Sequence, residues 1–115
     1  MTKDKGLFSP LSAIGFEILL SLAEGKRHGY HIMLDIAERT EGRLRLHPGT
    51  LYRAISRLVD DGLLDEVEPA AEEERRRYYR LTALGRRRAR LEAQRLADQV
   101  ATARSKRFLE QTDAE

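Results

Sequence analysis

Thr50, Tyr52, Arg53, Ser56 and Arg57 recur at the spacing that gathers side chains onto one side of a helix. The set holds two long cations, an aromatic ring and two hydroxyls. An arginine fork grips a phosphate, or the O6 and N7 edge of guanine, through two bonds at once. The chemistry on offer is recognition of phosphates and base edges in a DNA major groove. Bond-breaking chemistry has no comparable set. Asp60 and Asp61 are a carboxylate pair, but beside Gly62 they read as a helix end. His28 and His31 lack a third ligand or a nearby cysteine, so no metal site is expected. No phosphate loop, nucleophile elbow or zincin motif occurs, so neither catalysis nor a cofactor is expected.

A helix must carry this face, and residues 48–62 have the marks of one. Pro48 suits the first helical position and Gly62 a left-handed stop. Between them Leu51, Ile55, Leu58 and Val59 make an apolar face opposite the polar one. Upstream, Ser9 and Pro10 predict the start of a first helix running to about Glu24, with Leu11, Ile14, Ile18 and Leu22 in one stripe. Phe16, Leu19, Leu20 and Ala23 widen that stripe, so the helix needs cover on more than one side, in part from a second subunit. A second helix is expected from about Tyr30 to Thr40, with Tyr30, Met33, Leu34 and Ala37 facing one way, Ile32 and Ile36 alongside, and Gly42 as its stop. The short connection to His47 predicts a steep angle between the second and third helices, as in a helix-turn-helix.

Past Gly62 the period changes to two. Residues 64–68 and 77–81 read as strands of a small hairpin, and Thr82 caps a final helix. The expected fold is mainly α with a small β-hairpin: a winged helix-turn-helix plus a long C-terminal dimerisation helix. Residues 1–81 would form the DNA-binding domain and residues 82–115 the dimerisation helix with a frayed tail.

The 115 residues suffice for one compact domain and an added element, and 35% of them are charged. Net charge is only +2, but residues 60–74 hold eight acids and no base, while residues 75–90 hold eight arginines and no acid. Local pattern therefore says more than the balance. Arg77 and its neighbours Arg75 and Arg76 either contact phosphate or pair across the hairpin with Asp65, Glu66 and Glu68. Arg86, Arg87, Arg88 and Arg90 open a helix where the macrodipole disfavours cations. Phosphate contact, expected of Arg86, or pairing with the acids of 60–74 would compensate. No apolar run is long enough to span a bilayer, and no apolar segment with a cleavage site opens the chain. With no cysteine present, the expectation is a cytoplasmic protein without membrane partners.

Four motifs together resemble the PadR family of transcriptional regulators. They are His28-Gly29-Tyr30, Gly49-Thr50-Leu51-Tyr52, Asp61-Gly62-Leu63-Leu64, and Arg77-Tyr78-Tyr79-Arg80-Leu81-Thr82 with Gly85. The resemblance covers roughly residues 10–86. Gly-Leu-Leu and Leu-Thr-x-x-Gly occur in other winged-helix regulators, whereas the pairing of His-Gly-Tyr with Gly-Thr-Leu-Tyr favours PadR over MarR-like proteins. The single C-terminal helix is similar to the shorter PadR subgroup. Two departures stand out. Arg53 occupies a place where the family often has proline, and the wing tip is Glu72-Glu73-Glu74 rather than neutral or basic. Contact by the wing is therefore expected at Arg75 and Arg76.

The resemblance implies a dimeric repressor on double-stranded DNA with a pseudo-palindromic operator. The last helix, from Thr82 to about Leu109, would be roughly 42 Å long against a body about 30 Å across. It would overhang its own domain. Ala89, Ala93, Leu96, Val100 and Ala103 are spaced 4-3-4-3, a seam of small residues, and Leu11, Ile14 and Ile18 would complete the dimer interface. The resemblance also implies an aromatic or drug-like effector between first and last helices, lined by Phe8, Leu11, Gly15, Leu96 and Val100, although this chain has no tryptophan to stack on one. The rival class is a protein–protein module of the same fold that docks through the acidic surface of residues 60–74. An enzyme is a distant third.

Overall fold

Each helix begins at a side chain able to accept a backbone N–H, and these choices set the architecture. The computed structural model describes Leu7, residues 10–67 and residues 77–110. Along them run α1 (Ala13–Ser21), β1 (Arg27–His28), α2 (Gly29–Arg39), α3 (Pro48–Asp60), β2 (Leu64–Val67), β3 (Tyr78–Leu81) and α4 (Ala83–Ser105).

The cap of α1 is Ser12, whose hydroxyl accepts from the Gly15 N–H at 2.9 Å. Pro10 and Leu11 precede the helix, which corrects the expected start, and Ser9 lies outside the described residues. The far end is also earlier than Glu24. Leu22 and Ala23 donate to Leu19 and Leu20, and these shorter bonds tighten and close the last turn. His28 caps α2 and His47 caps α3, each accepting through Nδ1 from the N–H of His31 and Gly49 respectively. Gly62 closes α3 in the left-handed conformation, at φ 82°.

On α2 the buried residues are Gly29, Ile32 and Ile36, whereas Tyr30 and Leu34 are 51% and 47% exposed. The covered side is thus centred on Ile32 and Ile36, which were expected only alongside the main face, with Met33 and Ala37 half-buried at its edge. The apolar arc of the helix spans more than half its circumference, so its neighbours choose which part of that arc is covered. On α3 Leu51, Ile55 and Leu58 are buried as their spacing predicts.

Instead of a two-stranded hairpin there is a three-stranded antiparallel sheet in the order β1-β3-β2. Leu64 pairs with Leu81 and Val67 with Tyr78, while Arg27 and His28 pair with Tyr79 and Tyr78 on the other edge of β3. The wing tip Glu72–Glu74, together with Arg75 and Arg76, lies outside the described residues.

The core joins Ile18, Leu19 and Leu22 of the α1 region to Ile32, Ile36, Leu51, Ile55 and Leu58, and to Leu63, Leu64 and Tyr79. The hub is α1, which packs on α2, α3 and α4. Ile18 is wholly buried in this chain's own core, so it is not available to a second subunit as expected.

At 23 residues α4 is about 35 Å long, shorter than expected. Lys106 ends it, Arg107 takes a positive φ and the Phe108 N–H returns to the Ala103 carbonyl. Its first half packs on the body through Gly85, Ala89 and Glu92; beyond Leu96 most residues are exposed. The molecule spans 53 Å in its longest direction. No described helix is long and apolar enough to cross a membrane.

Candidate nucleic-acid interface

Burial of Leu51, Ile55 and Leu58 turns the other side of α3 outward, and Tyr52, Arg53, Ser56 and Arg57 are all exposed there, with Thr50 half-buried. Among the described residues neither Arg53 nor Arg57 has an ion-pair partner. Both guanidinium groups therefore remain open to an external anion. They line a shallow depression of about 1070 Å³ with Gly49, Tyr52 and Ser56, closed at its far end by Asp60 and Asp61. Those carboxylates repel phosphate, which disfavours phosphate contact at the C-terminal end of α3.

A polar network ties α2 to α1 beside the apolar core. Arg39 of α2 bonds to Glu17 of α1 at 2.6 Å, to the Ser21 hydroxyl at 2.8 Å and to Asp35 at 2.9 Å. Ser21 in turn donates to Asp35 at 2.8 Å. Partial burial works against ionisation of Asp35, but the bonds from Arg39 and Ser21 and the Arg39 charge outweigh it and hold the carboxyl below its ordinary range. At the start of α2, His28 is buried, stacked on His31 with ring centroids 3.9 Å apart and set edge-on to Tyr78. It sets the helix entry, and the described residues contain no cluster fit to hold a metal ion.

The wing's charges are partly spent internally. Arg77 pairs with Glu66 at 3.5 Å and Arg80 with Asp65 at 3.7 Å, both across the β2–β3 ladder. Asp65 and Glu66 of the acidic surface are thus matched by their own sheet, whereas Asp60 and Asp61 have no ion-pair partner among the described residues. At the start of α4, Arg86 donates to the Ala23 carbonyl just beyond α1, and Arg88 pairs with Glu92 at 3.1 Å.

Glu92 is the group that sequence reasoning missed. It is only 3% exposed, and it accepts from both Arg88 and Arg95. The hydrogen bond from Arg95 is the main reason its carboxyl is held below the ordinary range; burial opposes this and Arg88 adds to it. Its signal was present as arginines four residues before and three after an acid on one helix. The cap by His47 was also unforeseen, since histidine is not a usual cap.

Of the residues expected between first and last helices, Leu11 and Leu96 are half-buried and Val100 is exposed. Gly15 is buried, with Leu11, Ser12 and Leu58 against the place its Cβ would take, and Phe8 lies outside the described residues. Along the expected seam Ala93 and Val100 are exposed, Leu96 and Ala103 are half-buried, and Ala89 packs against the core.

Comparison with known proteins places these features in a family. The model of the transcriptional regulator PadR-like family matches residues 18–99. The transcriptional regulator Rv3488 of Mycobacterium tuberculosis is 33% identical over 75 residues, which is 65% of this chain and 67% of that protein. Two further curated relatives match over less than two thirds of their own length. Among solved structures, a transcriptional regulator from Clostridium thermocellum superposes with a TM-score of 0.70 at 26% identity, covering 88% of this chain and all of that one. Bacillus subtilis PadR in complex with operator DNA has the same fold, with a TM-score of 0.57 at 21% identity over 65% of this chain and 44% of that one.

Proposed function

Because this chain belongs to the PadR-like family of transcriptional regulators, we propose that it is a homodimeric repressor that reads DNA through α3. The observation that carries this reading is the outer face of α3, where Arg53 and Arg57 are exposed, without an ion-pair partner among the described residues, beside Thr50, Tyr52 and Ser56. Each copy inserts the face of α3 that carries Thr50, Arg53 and Arg57 into a major groove. Two copies then engage half-sites about 34–36 Å apart, one helical turn of DNA. The operator complex of Bacillus subtilis PadR supports this use of the fold. Arg75, Arg76 and Arg86 supply phosphate contacts around the groove.

Residues 82–115 act as the dimerisation element and residues 1–81 as the reading domain. The partner docks along Ala93, Leu96, Val100 and Ala103 of α4, with Leu11 and Ile14 beside them. A small-molecule effector bound between Leu11, Leu96 and Val100 would change the dimer angle and release the operator in the cytoplasm. Without tryptophan the site favours an effector that does not need a broad stacking platform.

Selection of bound fragments from a genomic DNA pool tests the reading. The expected product is a pseudo-palindromic fragment whose affinity falls steeply with salt, because each neutralised phosphate releases counterions. Recovery of no sequence, or binding indifferent to salt, overturns it.

A further inference from the structure

The His-Gly-Tyr and Gly-Thr-Leu-Tyr motifs meet in space. Tyr52 projects from α3 over the first residue of α2, Gly29. A Cβ built on Gly29 would lie 2.2 Å from the Tyr52 hydroxyl oxygen, 2.6 Å from Cζ and 2.7 Å from Cε1. Gly29 is helical and does not have a positive φ, so its backbone conformation is open to any residue. Glycine is required there for space alone, and the ring fills that space. Tyr52 is still 43% exposed, with the hydroxyl end of its ring against α2. The contact reaches the sheet as well. Gly29 follows directly on β1, which pairs with β3. The Tyr79 phenol on β3 is pushed up, by burial first and then by the charge of Glu66, and the Tyr52 hydroxyl lies close enough to add to the shift.

We propose that Tyr52 is a positioning residue whose ring, seated on the bare Gly29 backbone, sets the angle at which α3 is presented by α2 and the sheet. The assignment rests on the reading of α3 as the DNA-contacting helix. It separates Tyr52 from Arg53 and Arg57 on the same face. The arginines touch DNA, while Tyr52 acts through them by holding their helix. The two motifs form one device: neither the glycine nor the tyrosine is useful without the other.

A suppression test decides it. Gly29→Ala, Tyr52→Ala, the double variant and Tyr52→Phe are compared with the parent in the full chain. The thermal midpoint and the affinity for the selected operator are read for each. Gly29→Ala expels the ring, so it should lower the midpoint and weaken operator binding by about tenfold, the factor that matches a modest overpacking penalty. Tyr52→Ala should do the same. In the Tyr52→Ala background the added methyl meets no ring, and replacing glycine at a compatible position stiffens the unfolded chain. There Gly29→Ala should leave operator affinity unchanged and keep or raise the midpoint. Tyr52→Phe keeps the ring and should bind within about twofold of the parent. As a control, Gly85→Ala meets backbone rather than a side chain and should destabilise equally in both backgrounds.

Gly29→Ala that is harmless in the parent, or equally harmful with and without the ring, overturns the proposal. So does Tyr52→Phe that binds as poorly as Tyr52→Ala, because the hydroxyl would then be a DNA contact. If the parent binds no DNA at all, the reading of α3 fails, and the midpoints of the four proteins still decide whether ring and glycine are coupled.

Discussion

Replacement of Gly85 by alanine probes the junction on which the placement of α4 depends. A Cβ at this position would lie 2.0 Å from the Leu63 carbonyl oxygen and 3.0 Å from its carbon. Both are backbone atoms, so no rotamer change relieves the clash. The same oxygen accepts the Thr82 N–H at 3.1 Å, and the Thr82 hydroxyl accepts from Gly85 at 2.9 Å while donating to the Gly62 carbonyl at 2.7 Å. Ordinary contact begins at 3.4 Å, so α4 must lift by more than an ångström and stretch these bonds. Overpacking costs about 1–3 kcal/mol, and stretching these hydrogen bonds, each worth about 0.5–1.5 kcal/mol when lost outright, adds about 1–2 kcal/mol, for a total of roughly 2–5 kcal/mol. At about 4 °C per kcal/mol for a chain of this size, the midpoint should fall by about 8–20 °C. Circular dichroism melts at one fixed protein concentration measure this, since a dimer's midpoint depends on concentration. A fall of less than about 3 °C would refute the packing argument.

Arg53→Ala or Arg57→Ala should relax preference at particular operator positions, because a bidentate base contact contributes about 1–3 kcal/mol of discrimination. Arg86→Ala should weaken operator and scrambled DNA alike and lower the salt slope by about one; titrations on both DNAs at two salt concentrations separate the cases. Asp35 and Glu92 both titrate below their ordinary range in the fold, so the unfolded chain takes up protons first as the pH drops. Their contribution is complete above the ordinary carboxylate range and is lost as pH falls through the lowered folded values. Urea melts should show that loss on acidification, and Glu92→Gln should remove part of it. A chain ending at Leu96 keeps Gly85, Ala89 and Glu92 against the body and lacks the exposed turns of α4. It should sediment as a folded monomer, and a stable dimer would place the interface elsewhere.

Local chemistry made much of this protein legible in one dimension. Pro48, Gly62 and the spacing of Leu51, Ile55 and Leu58 determine α3 and both its faces, because a helix with one apolar stripe has a single way to bury it. Thr82 marks the start of α4 for a similar reason: its hydroxyl serves the nearest free N–H, a contact only three residues long. Other features were open in the sequence and closed only by neighbours. Ser9 was expected to cap the first helix, and in the folded chain Ser12 takes that role. Leu34 is as apolar as Ile32 and Ile36, and only the packing of α1 and α3 on α2 decides which of them is covered. The strand β1 is two residues long, too short to carry a period, and pairs because β3 offers it a free edge. Glu92 looks like one more surface acid among arginines until tertiary packing buries it. Spacing along a chain reports which residues share a side; burial depends on what arrives from elsewhere in the chain, and a single helix does not encode that.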